Sequence, residues 1–118
     1  MTTLIEDLQA LLTTLAPAGG VWYAANTQEP PTYPYIVFMR VISSANVTLN
    51  GPSNLQSTRV QFDIISRAVG EAVALETALE SAMNGWSVQN EAMSSQDLYE
   101  EAIRCYRVSK DYLIWATN

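Results

Sequence analysis

Between positions 59 and 64 the chain alternates strictly, with Val60, Phe62 and Ile64 on one side and Arg59, Gln61 and Asp63 on the other. Successive side chains of a strand point to opposite faces, so a period of two marks a strand with one dry face and one polar face. The reading extends over residues 56–67, with Arg67 in the polar set. Such a strand needs an apolar layer on one side only, and two helices can supply it. Leu4, Ile5, Leu8, Leu11, Leu12 and Leu15 recur at helical spacing and form one stripe. Thr3 followed by Glu6 fits a capping box, and Pro17, Gly19 and Gly20 stop the helix. A second helix is expected over residues 70–84. Ala72, Leu75, Leu79, Ala82 and Met83 form its apolar side, Glu76 and Glu80 its solvent side, and Gly85 its end.

Residues 21–24 read as a short strand, and the proline-rich stretch 29–34 as an extended connector. Residues 35–43 form a strand that is apolar on both faces. Tyr35, Val37, Met39 and Val41 lie on one, and Ile36, Phe38 and Ile42 on the other. Two helices do not cover both sides, so the second face calls for a neighbouring subunit. Residues 46–54 contain Asn-Gly-Pro and read as a long loop, a candidate contact arm between two antiparallel strands. A weak edge strand is expected over 86–95, then an acidic turn over 94–101. The last strand covers 103–117, with Tyr106, Val108, Tyr112 and Ile114 opposite Leu113 and Trp115. This order gives a single α+β domain over residues 1–118: an antiparallel sheet with two helices packed on one face.

The chemistry such a chain can support is narrow. The formal charge is −6, and the chain has one lysine and five scattered arginines. Nucleic-acid surfaces draw their affinity from Lys and Arg, so no specific nucleic-acid binding is expected. There is no histidine, which removes Ser-His-Asp and Cys-His systems and the commonest metal ligand. The single cysteine, Cys105, reads as a strand thiol and can form no internal disulfide. No basic leader precedes an apolar segment, and no apolar run reaches the ~20 residues that cross a bilayer. No membrane partner is therefore expected, and the Asn46-Val47-Thr48 sequon reads as chance. Asp97, Glu100 and Glu101 are the densest acids and read as a solvated turn. No catalytic residue, cofactor or metal site is expected.

The whole pattern resembles the phage tail completion or tail terminator proteins. The likeness rests on the apolar N-terminal helix, the strand opening Pro34-Tyr35-Ile36-Val37-Phe38, and the strand Arg59-Val60-Gln61-Phe62-Asp63-Ile64. An Ala- and Glu-rich helix follows, and the closing strand runs from Tyr106 to Trp115. The resemblance implies a virion protein made in the bacterial cytoplasm and placed at the head-proximal end of the tail. There it would form a homo-oligomeric ring, a hexamer, that caps the tube of the major tail protein and meets the head–tail connector. Candidate contact residues for that role are Tyr35, Ile36, Phe38, Arg40, Thr48, Leu49, Asn50, Arg59 and Trp115. Other readings are a different phage neck or tail component, or a non-viral adaptor gripping a peptide along a sheet edge.

Overall fold

The computed structural model describes the backbone of residues 3–48 and 51–116 and the side chains of residues 3–41 and 57–115. The first helix, α1 (Leu4–Thr13), begins as the sequence indicates. The Thr3 hydroxyl accepts from the Glu6 N–H at 3.2 Å, and the Glu6 carboxylate accepts from the Thr3 N–H at 3.1 Å. Leu4, Leu8 and Leu12 are buried on its inner side. A short strand, β1 (Val21–Tyr23), follows a turn in which Gly19 has no alternative. A Cβ there would overlap the Thr32 carbonyl, because the Gly19 N–H donates to the Pro34 carbonyl at 2.7 Å and draws the connector close.

Two long strands, β2 (Tyr35–Thr48) and β3 (Gly51–Ser66), pair antiparallel, and α2 (Val69–Asn84) then crosses the sheet. The chain closes with β4 (Asn90–Glu100) and β5 (Cys105–Ala116). The order in space is β1-β2-β3-β5-β4. All neighbours are antiparallel except β1 and β2, which run parallel, Val21 beside Ile36 and Tyr23 beside Phe38. The connector between those two strands carries the chain back along the sheet, as a parallel pair demands.

Both helices lie on one face. Leu4, Leu8 and Leu12 from α1 and Ala72, Leu75, Leu79 and Met83 from α2 close over Ile36, Phe38, Val60, Phe62, Ile64, Val108, Tyr112 and Ile114. Phe62 is the hub. Its ring lies 6.3 Å from Phe38 in a stacked pair and 5.6 Å from Tyr112 edge-on. The strict alternation of β3 is therefore the imprint of this cover.

Two expected loops are strands. Residues 46–48 and 51–54 belong to a β-ribbon in which Val47 pairs with Pro52 and Thr48 with Gly51. Beyond the pair Gln56–Ala116 this ribbon has no β5 beside it, and the molecule reaches 51 Å in its longest dimension against 27 and 24 Å in the others. The segment is a strand through backbone pairing, which needs no apolar alternation. The acidic turn at 94–101 is likewise largely the edge strand β4, whose side chains are exposed from Glu91 to Tyr99. The turn proper lies at residues 101–104.

The assignment of Ile36 and Phe38 to an outer contact surface is corrected by the fold. Both are fully buried beneath the helices, whereas Met39 and Val41 on the same strand are exposed. Parity separated the two faces of β2 as far as Arg40, where a register shift sets Ile42 opposite Arg59 instead of on the side of Ile36 and Phe38. Nor does parity say which face the helices occupy. Phe38→Ala should lower unfolding free energy by about 3–5 kcal/mol. Met39→Ala should change it by less than ~0.5 kcal/mol, as for a surface site. Urea unfolding of the two variants checks the assignment, and equal losses would refute it.

Candidate assembly surface

The sheet face away from the helices carries a crossed pair of ion contacts. The β3 and β5 strands each hold an Arg and an Asp four residues apart on this face: Arg59 and Asp63, Arg107 and Asp111. Because the strands run antiparallel, with Arg59 opposite Leu113 and Asp63 opposite Ser109, each arginine lies diagonal to the other strand's aspartate. Arg59 Nη2 meets Asp111 Oδ2 at 2.6 Å, and Arg107 Nη1 meets Asp63 Oδ2 at 3.9 Å. Arg107 Nη2 also holds Glu100 at 2.7 Å, which ties β5 to the edge strand β4. The groups are partly solvated, so each contact contributes no more than about 1 kcal/mol. Their larger effect is to leave this face polar at its centre, with Leu113 and Trp115 half-buried at one end and Met39 and Val41 at the β2 edge.

The expected contact residues separate accordingly. Arg59 and Trp115 share the open face, since Arg59 pairs with Leu113 and its neighbour Ser57 with Trp115. Tyr35 lies at the other end of that face, opposite Ile65, with its ring 5.6 Å from Tyr33. Burial pushes the Tyr35 phenol above its ordinary range. Arg40 is exposed beside Val60 at the β2 edge, and its N–H donates to the Tyr23 hydroxyl at 3.4 Å. Thr48 ends β2 opposite Gly51, and Leu49 and Asn50 lie outside the described residues. Ile36 and Phe38 are in the core. The residues missed were Asp63, Arg107 and Asp111. Their signal was the shared Arg-x-x-x-Asp spacing on the polar parity of two strands that pair.

On the helix side the lone lysine is clamped rather than solvated. Lys110 Nζ lies 3.3 Å from both Glu76 and Glu80 of α2, and its side chain is 8% exposed. Ser95 of β4 donates to Glu76 at 3.1 Å. Glu76 is thus largely buried, contrary to its reading as solvent-facing, while Glu80 stays half exposed. Burial by itself would push the Lys110 ammonium down. Hydrogen bonds and charge from both glutamates outweigh it and hold the group above the usual lysine range. Beside this clamp an open groove of about 460 Å³ is lined by Thr77, Glu80, Ser81, Asn84, Asn90, Ala92 and Tyr112. Glu80, its one carboxylate, is committed to Lys110, and no second acid lines it. No group of three His, Cys, Asp or Glu residues placed to hold a metal exists among the described residues. The described helices include none long and apolar enough to cross a membrane.

The family described as tail completion protein gp17 matches residues 4–117, from the first residue of α1 to beyond the end of β5. The chain belongs to the tail completion protein gp17 family. The family contains structural proteins of phage tails, and the match spans every element of the fold. A solved structure described as the virion of a native gene transfer agent particle contains a chain of the same fold. The two superpose with a TM-score of 0.66 at 13% identity, over 95% of this chain and 88% of that one. No curated protein matches the sequence. At that identity the likeness resides in the backbone, so the open face, the ribbon and the two sheet edges must be read from this chain's own residues.

Lys110 and the phenols of Tyr112 and Tyr35 are all raised, Tyr112 by burial first and then by Glu80 and Glu76 against the opposing Lys110 charge. A raised lysine stabilises the fold below its unfolded value of about 10.4 and loses that contribution as pH climbs through the folded value. A raised tyrosine acts in the same direction, because deprotonation is easier in the unfolded chain, from about pH 10. The urea midpoint should therefore hold steady from these groups up to about pH 9 and fall above about pH 10. Lys110→Met should cost about 1–3 kcal/mol at neutral pH, since it leaves Glu76 without its cation, and should flatten the alkaline decline. An alkaline slope unchanged by that substitution would remove Lys110 from the account.

Proposed function

We propose that this protein is the subunit of a six-membered ring that ends the phage tail tube at the head-proximal side of the virion. The ring caps the tube of the major tail protein, stops its growth and presents a surface to the head–tail connector. The observation that carries this reading is the family match over residues 4–117. The reading is supported by a sheet that the helices cover on one face, an open second face, and a ribbon that extends past the last β3–β5 pair. Its mechanism is surface complementarity, without turnover. A ring requires heterologous contacts, in which one patch of a subunit meets a different patch of the next.

The charge distribution fits a ring through which DNA passes. The only lysine is clamped by two glutamates, and Arg59 and Arg107 on the open face are each held by carboxylates. Three of the six cationic side chains are thus occupied by carboxylates, which lowers the non-specific attraction that passing DNA meets. Tight, salt-sensitive DNA binding by the assembled ring would contradict this role for the lumen.

The ribbon gives the direct test. Replacing residues 45–56 with Asn-Gly closes the hairpin at the Ser44–Ser57 pair and leaves every residue of the helix-covered core in place. The shortened chain should unfold at a urea midpoint close to the parent's. It should lose ring formation, by light scattering and negative stain, and the capping of polymerised tail tubes, by at least about tenfold in the concentration required. A folded, shortened chain that caps tubes as well as the parent would exclude the ribbon from assembly. Parent protein that neither forms rings nor caps tubes would overturn the proposed function.

A further inference from the structure

The two edges of the sheet differ in length, charge and hydrophobicity. On one side β4 runs from Asn90 to Glu100 with β5 on its inner flank and no strand on its outer flank among the described residues. On the other side β1 covers β2 only from Ile36 to Phe38, and the Tyr23 hydroxyl takes the Arg40 N–H. From Ile42 to Thr48, therefore, the strand beside β2 is β3 alone, with register irregularities at Val41 and Asn46. An unpaired strand edge is a row of backbone donors and acceptors that can template another strand. Both edges are long enough to do so.

Exposed apolar side chains gather at these same edges. Met93, Leu98 and Tyr99 project from β4, with Ile103 in the turn after it, and Met39 and Val41 project from β2 beside Tyr23 of β1. Elsewhere among the described residues only Val69 and Val73 of α2 are large, apolar and exposed. Charge divides the edges by sign. The β4 strand holds Glu91, Asp97 and Glu100 and no base, whereas β2 holds Arg40 and no acid. Glu100 is taken by Arg107, but Glu91, Asp97 and the Arg40 guanidinium have no ion-pair partner among the described residues.

We infer that the outer edge of β4 on one copy pairs with the free β2 edge, residues 41–48, of a second copy, which continues the sheet from subunit to subunit. The pairing is heterologous, as a ring needs, and it rests on the ring reading above. A two-fold contact of β4 with itself would bring two strands that each hold three acids and no base side by side, with no opposite charge between them. The β1 edge offers only three residues. Joining β4 to β2 instead sets a strand with three acids and no base beside one whose single charge is Arg40, and brings the exposed apolar side chains of the two edges to one seam.

Amide hydrogen exchange on the parent protein, alone and assembled, locates the contact. Amides of β4 between Ser94 and Glu100 and of β2 beyond Arg40 should slow by at least about tenfold on assembly, since exchange then requires the new ladder to open. A second measurement mixes Leu98→Cys chains with Met39→Cys chains and adds a short bismaleimide, Cys105 being buried. Cross-linked heterodimer should dominate over Leu98→Cys homodimer. Rings that form with β4 amides unprotected, or that cross-link mainly as Leu98→Cys homodimers, overturn the pairing and leave the ring intact. Failure to assemble, free or on tube ends, overturns both.

Discussion

Two helices of ten and sixteen residues cannot cover both faces of a five-stranded sheet. They cover one, and the rest of the structure follows from that asymmetry. The covered face concentrates the large apolar side chains around Phe62, where burial removes most apolar area from water. The uncovered face must remain soluble without becoming a repulsive array. Crossed Arg–Asp contacts achieve this by placing opposite charges on adjacent strands. Those contacts stabilise weakly, yet they set the polarity of the whole face.

The same asymmetry makes the lysine clamp intelligible. Where α2 lies across β5, the inward parity of the strand brings Lys110 beneath the helix among Phe62, Ile64 and Tyr112. An ammonium there is tolerable only if carboxylates reach it, and Glu76 and Glu80, one turn apart, lie directly above. Ser95 then extends the network to β4. The edge strand, which lies beyond most of the helical cover, is thereby fastened from both sides: to α2 through Glu76 and to β5 through Glu100 and Arg107.

The proposed assembly features lie where the core does not reach. The ribbon past Gln56, the outer flank of β4 and the free flank of β2 are the parts of the fold that no helix protects. The proposed ring calls for surfaces of this kind, because a subunit joined to two neighbours and two further partners would keep little of its surface for solvent. The low charged fraction, 15% of residues, accords with that demand.

The sequence by itself determined what depends on neighbours along the chain. Helical spacing and the Thr3–Glu6 box marked α1, and alternation at 59–64 marked the covered face of β3. The two-sided apolar strand was equally legible, as was the absence of histidine. Only the tertiary structure decided what depends on which strand lies beside which. It placed Ile36 and Phe38 under the helices and Met39 and Val41 outside, because both sides of β2 are apolar and local sequence does not choose between them. It turned 46–48, 51–54 and most of 94–101 into strands, because a ribbon and an edge need backbone partners rather than apolar periodicity. It also brought Arg59 to Asp111 across fifty-two positions of sequence, a contact set by the register of β3 on β5. Spacing within a strand fixes which face a residue shares; register, a property of the folded sheet, chooses its partner.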